Sequence, residues 1–129
     1  MTDEKALRCM LAGALWMRYQ DIIEDIMSGA ERANAEISTA DQFDLLNAVT
    51  WIDSLTPAFE KCVARAVPQA VGLVSGANSS VKEAVAFMTG TSPLQERLSF
   101  AGQKLTQASH DIDMLAEMTA SYMQSGGPL

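Results

Sequence analysis

At 129 residues the chain has the length of one domain, and its 48% of hydrophobic residues is enough to bury a core without metal or disulfide support. That fraction excludes a disordered chain, while an aromatic share of only 6% leaves Ala and Met to fill the gaps of close-packed helices. A formal net charge of −7 sets the long-range field against nucleic acids and anionic membranes, so no direct nucleic-acid binding is expected.

The charge is unevenly spread. Between Tyr19 and Glu60 lie Asp21, Glu24, Asp25, Glu31, Glu36, Asp41, Asp44, Asp53 and Glu60, nine of the sixteen acids, against the single base Arg32. One end of the molecule should therefore be strongly negative. The acidic start Met1-Thr2-Asp3-Glu4 and the Arg8 interruption of the next apolar run do not read as a signal peptide. No segment reaches the ~20 apolar residues that span a bilayer. A cytoplasmic protein without membrane contact is the expectation.

In chain order, Thr2 or Asp3 caps a first helix whose apolar residues Leu7, Leu11, Leu15, Tyr19, Ile22, Ile26, Ala30, Ala33 and Ile37 step by four and three, so that it runs to about Glu36. Thr39 with Gln42 makes a capping box for a second helix. Its seam is Leu45, Val49, Ile52, Thr56, Phe59, Val63, Ala66, Ala70 and Leu73. Pro57 and Pro68 interrupt that register, and proline removes a backbone donor and disfavours a helical residue before it. The seam accordingly predicts collinear pieces: Ala40 to about Leu55, Pro57 to Val67, and a short helix after Pro68 ending near Gly72 to Ser75.

Gly76-Ala77-Asn78-Ser79 reads as a loop, with Ser80 and Glu83 boxing the start of a short helix that Gly90 stops. Ser92 as cap and Pro93 at the first helical position open the last helix. Its seam, Leu94, Leu98, Ala101, Leu105, Ala108, Ile112, Leu115, Thr119 and Tyr122, is unbroken. The fold class is all-α, with residues 1–124 as one domain and 125–129 as a flexible tail. Short connections make the architecture an antiparallel bundle of three long helices, the second kinked or broken, with the 80–89 helix capping one end. A sharp break at Pro57 would give five or six helices instead.

Chemical motifs are sparse. His110 and Asp113 sit one turn apart, but the chain has a single histidine and cannot build a Glu-x-x-His pair on two helices. Cys9 and Cys62 each sit among apolar residues with no adjacent base, and they read as reduced, buried or half-buried thiols. There is no P-loop and no dinucleotide fingerprint, so no catalytic residue, metal site or cofactor is assigned. Asp21 and Asp25 share a helix face, and with Glu24 and a facing Asp53 they could hold Mg²⁺ in an enzyme acting on a nucleotide or other phosphate. An apolar-ligand carrier would need a cavity between the Ala and Gly positions of the helices.

Seven methionines besides Met1 (Met10, Met17, Met27, Met88, Met114, Met118 and Met123) fill either a core or an adaptable contact surface, and Trp16 and Trp51 share that ambiguity. Phe100, Met114 and Met118 lie beside the last helix's seam and are the expected contact with a second chain, a homodimer included. Non-enzymatic protein–protein interaction is the leading expectation: an adaptor, a chaperone, or an inhibitor of the mobile-element or phage type. Such an inhibitor would set Asp21, Glu24, Asp25, Asp41 and Asp44 against a basic partner.

Overall fold

A computed structural model of the protein describes the backbone of residues 2–124 and the side-chain surroundings of residues 9–121. The expected Thr2 or Asp3 cap, Leu7, Tyr122, Met123 and the 125–129 tail lie outside the residues so described.

Four α-helices make up the described chain: α1 (Thr2–Ala33), α2 (Thr39–Ala66), α3 (Val71–Met88) and α4 (Leu94–Gln124), with a 3₁₀ turn at Pro68–Ala70. The class is all-α, as the helical periods require; α1, α2 and α4 are long and α3 is shorter, but α3 packs along α4 instead of capping one end. Two antiparallel hairpins result. In the first, Cys9 lies opposite Cys62, Trp16 opposite Thr56 and Tyr19 opposite Trp51. In the second, Gly76 lies opposite Asp111, Glu83 opposite Lys104 and Phe87 opposite Phe100.

The first hairpin turns at residues 34–38. Asn34 takes a positive φ of 49°, a conformation Asn tolerates, and this ends α1 at Ala33 rather than near Glu36. Ser38, one residue before the expected Thr39, caps α2 by accepting the Asp41 N–H at 3.1 Å. At the start of α4, the Pro93 carbonyl accepts the Arg97 N–H at 3.1 Å, which places Pro93 just outside the helix.

Three expectations are corrected. First, Pro57 does not break α2. Its ring lies on the exposed side, where water can reach the carbonyl it frees, while the neighbouring Thr56 is buried and its hydroxyl donates to the Ile52 carbonyl at 2.7 Å. The break expected at Val67, just before Pro68, is the one that occurs. Second, the 76–79 stretch is not a loop: α3 runs through it, and Ser80 is a buried mid-helix residue rather than a cap. Val74, Ala77, Val81, Ala84, Val85 and Met88 give this helix a continuous buried face, whose packing outweighs the ~1 kcal/mol that each glycine costs a helix. Third, Cys9 and Cys62 are not free thiols. They form a disulfide with Cα atoms 5.3 Å apart.

Trp16, Ile23, Leu45, Ile52, Val74, Val81 and Met88 lie at the centre of the core. The expected seams of α2 and α4 do face inward, through Leu45, Ile52, Phe59 and Val63 on one and Ala101, Ala108 and Leu115 on the other. On α1 the buried line Ala12, Trp16, Gln20, Ile23 and Met27 lies one residue, and so about 100° of rotation, from the expected stripe, and the two meet at the buried Ala30.

Candidate functional site

The α1 stripe left out of the core is the most informative surface. Leu11 and Leu15 are 52% and 44% exposed, and Tyr19, Ile22 and Ile26 follow at helical spacing, half-buried along the edge of the core. From α2, Trp51 stacks on Tyr19 with ring centroids 6.0 Å apart and planes 5° from parallel, yet remains 48% exposed. Helix α1 thus carries two apolar lines, one buried in the bundle and one along the outside of the first hairpin. Soluble proteins scatter single apolar residues over their surface, but a periodic row reinforced by a stacked tryptophan has the form of a contact surface. Farther along α2, Phe43 is 70% exposed between Gln42 and Asp44.

The two tryptophans therefore divide. Trp16 is core and Trp51 is surface. Among the methionines, Met27 and Met88 are buried, Met17 and Met118 pack against the core, and Met10 and Met114 are exposed.

The five expected acids do not form one cluster. Asp25 and Asp41 line a common groove with Ile26, Ile37 and Glu36 beside the first turn, at one end of the apolar row. Asp21 and Asp44 are exposed on their helices. Glu24 is directed toward α4, where its Oε1 accepts from Gln20 Nε2 at 3.1 Å and from Ser109 Oγ at 2.9 Å. Asp53 is turned to α3, accepting from Lys82 Nζ at 3.2 Å and Asn78 Nδ2 at 3.4 Å. Those bonds, Lys82 first, hold its pKa below the ordinary carboxylate value. The 21–25 acids and Asp53 are thus not brought together, and among the described residues no group of three or more His, Cys, Asp or Glu is placed to hold a metal ion. His110 and Asp113 are both exposed.

The surface expected to meet a second chain is partly used within the molecule. Phe100 packs on Phe87 with centroids 4.3 Å apart, Lys104 lies over its ring, and Met118 rests on the core, leaving Met114 as its exposed member. No helix among the described residues is long and apolar enough to cross a membrane.

The Trp51–Tyr19 ridge and the disulfide were the features sequence reasoning missed. A signal for the disulfide was present: Cys9 and Cys62 lie at nearly equal sequence distances from the 34–38 turn, so an antiparallel hairpin sets them face to face. No known protein family, curated protein or solved structure matches this chain.

Proposed function

We propose that the protein is a non-enzymatic protein–protein interaction module whose docking surface is the Leu11–Leu15–Tyr19–Trp51 ridge with the acidic groove at its end. The observation that carries this reading is that the start of α1's second apolar line, Leu11 and Leu15, is exposed together with Trp51 of α2, while Tyr19, Ile22 and Ile26 continue it half-buried along the core edge. Its partner is a basic amphipathic segment: the apolar face covers the leucines and Trp51, and the basic residues meet Asp25 and Asp41. The −7 net charge supports the same choice by steering cations toward the molecule. An adaptor or an inhibitor of a basic protein fits this description, and the Phe100–Met114–Met118 face is secondary to the ridge. The disulfide favours an oxidising compartment over the cytoplasm expected from the sequence.

The test is titration with a synthetic Leu/Lys amphipathic helical peptide and with its Leu/Glu counterpart. The Lys peptide should bind with an affinity that falls with salt, and Leu11→Ser/Leu15→Ser and Asp25→Asn/Asp41→Asn should each weaken it. Equal binding of both peptides, binding indifferent to all four substitutions, or a stable homodimer in light scattering that hides the ridge would overturn the proposal.

A further inference from the structure

Helix α3 has 18 residues where α4 has 31, and this difference opens a pocket. Gly76 lies opposite Asp111, so α3 reaches only as far as the middle of α4's second half before the chain turns away at Pro68–Ala70. Beyond that point three helices surround a space that a fourth would otherwise fill. Its walls are Met10, Gly13, Ala14 and Met17 of α1, Phe59, Val63 and Ala66 of α2, and Leu115, Ala116, Thr119 and Ala120 of α4, and the Cys9–Cys62 disulfide joins two of the walls. No α3 residue contributes.

The pocket has a volume of about 480 Å³. The groove by the first turn is nearly as large, about 450 Å³, and the α1–α4 groove is smaller, about 300 Å³; the distinction lies in the lining. The groove between α1 and α4 carries Glu24, Glu31 and Ser109, and the groove by the first turn carries Asp25, Glu36 and Asp41. Among the described residues the walls of this pocket hold no charged side chain, and the hydroxyl of Thr119 is already committed to the Leu115 carbonyl at 2.8 Å. Small residues at Gly13, Ala14, Ala116 and Ala120 make the room. A Cβ on Gly13 would come within 3.2 Å of Phe59 Cε1, so that ring already closes one side.

We infer that this pocket is a binding site for a neutral, apolar small molecule, an uncharged aromatic or a branched hydrocarbon skeleton. A charged ligand is disfavoured because the described lining offers nothing to replace the water that an ion would lose. The volume falls in the ordinary range for small-molecule sites and is about three times the ~150 Å³ cavity that takes up one benzene ring. The sulfur atoms of Met10, Met17 and the disulfide are polarisable partners for an aromatic ring. This site is separate from the ridge and does not depend on that surface binding a partner.

The experiment uses N-phenyl-1-naphthylamine, an uncharged probe that fluoresces in apolar surroundings and accepts energy from tryptophan. Trp16 packs on Phe59 with centroids 5.5 Å apart, so a probe in the pocket lies close to it. Saturable one-to-one binding is expected, with quenching of Trp16 emission that persists in Trp51→Phe and a rise in melting temperature. Ala116→Phe and Ala14→Phe, both at solvent-accessible rim positions, should each weaken binding by about tenfold or more while the helical circular dichroism and cooperative melt are retained. The inference is overturned if no saturable binding occurs, if both folded Phe variants bind the probe like the parent chain, or if binding is lost in Leu11→Ser/Leu15→Ser, which would assign the probe to the ridge.

Discussion

Trp16 Nε1 donates a hydrogen bond of 3.1 Å to Thr56 Oγ1 in the fully buried interface between α1 and α2. The same hydroxyl donates to the Ile52 carbonyl, so Thr56 joins the indole to the α2 backbone one residue before Pro57. Thr56→Val would keep the shape but leave the indole N–H unpaired in an apolar core, a loss of about 1–3 kcal/mol. In a Trp16→Phe background the same change should cost clearly less, because the donor is gone. A double-mutant cycle by urea unfolding measures the difference, and coupling near zero would show that the bond contributes nothing.

The Cys9–Cys62 disulfide closes a loop over a sequence separation of 53 residues and joins the ends of α1 and α2 farthest from their turn. By the chain-entropy argument, a loop of that length stabilises by about 4 kcal/mol, through restriction of the unfolded chain. Oxidised protein unfolded in guanidinium should show no reactive thiol, and reduction should expose two. Urea midpoints with and without reductant should differ in the direction of a stabler oxidised form. Free thiols in the oxidised, unfolded protein would count against the bond.

Much of this fold was legible in the sequence, and its failures have specific physical causes. The α2 and α4 seams point inward because Leu, Ile, Phe and Ala alone occupy most of their inner positions. On α1 the inner line contains Gln20, which is 2% exposed, and the more regular run of leucines and isoleucines therefore looked like the core although it is the outer row. In α3 the residues that favour turns, Gly76, Asn78 and Ser79, outweighed the valines on either side in a local reading; only the partner helix α4 decides the matter. The dispersal of the acids followed from helix rotation, which sends Glu24 to α4 and Asp53 to α3.

Arg97 and Glu36 lock the second hairpin to the first turn. Arg97, only 6% exposed, donates from Nη1 to Glu36 Oε2 at 2.8 Å and to the Met88 carbonyl at 3.1 Å, from Nη2 to Glu36 Oε1, and from Nε to the Ser92 carbonyl. The hydrogen bonds from Arg97 hold the Glu36 carboxyl below its ordinary value of 4.5, as the bonds from Lys82 do for Asp53. A depressed carboxylate pKa contributes stability that is present above the unfolded value and is lost as pH falls through the folded one. The melting temperature should therefore drop between about pH 5 and pH 3, and Glu36→Gln should flatten that drop while lowering the value at neutral pH. Arg97→Lys should destabilise at all these pH values, because lysine cannot reproduce the fork that reaches Glu36 and two carbonyls at once. An acid profile identical in the parent and Glu36→Gln would remove Glu36 from the account.

Two glycines of α1 should respond differently to the same substitution. A Cβ built on Gly29 meets nothing within 4 Å, whereas one on Gly13 comes within 3.2 Å of the Phe59 ring. Alanine is favoured over glycine inside a helix by about 1 kcal/mol, partly by reducing the freedom of the unfolded chain. Gly29→Ala should realise most of that gain. At Gly13 the new methyl pushes on a ring that also packs against Trp16, so the gain is offset by displacement of Phe59 within the core. Urea midpoints should rise for Gly29→Ala and stay level or fall for Gly13→Ala. The reverse order would mean that α1 and α2 are not packed against each other at Phe59 in solution, and it would also weaken the case for the apolar pocket that this ring closes.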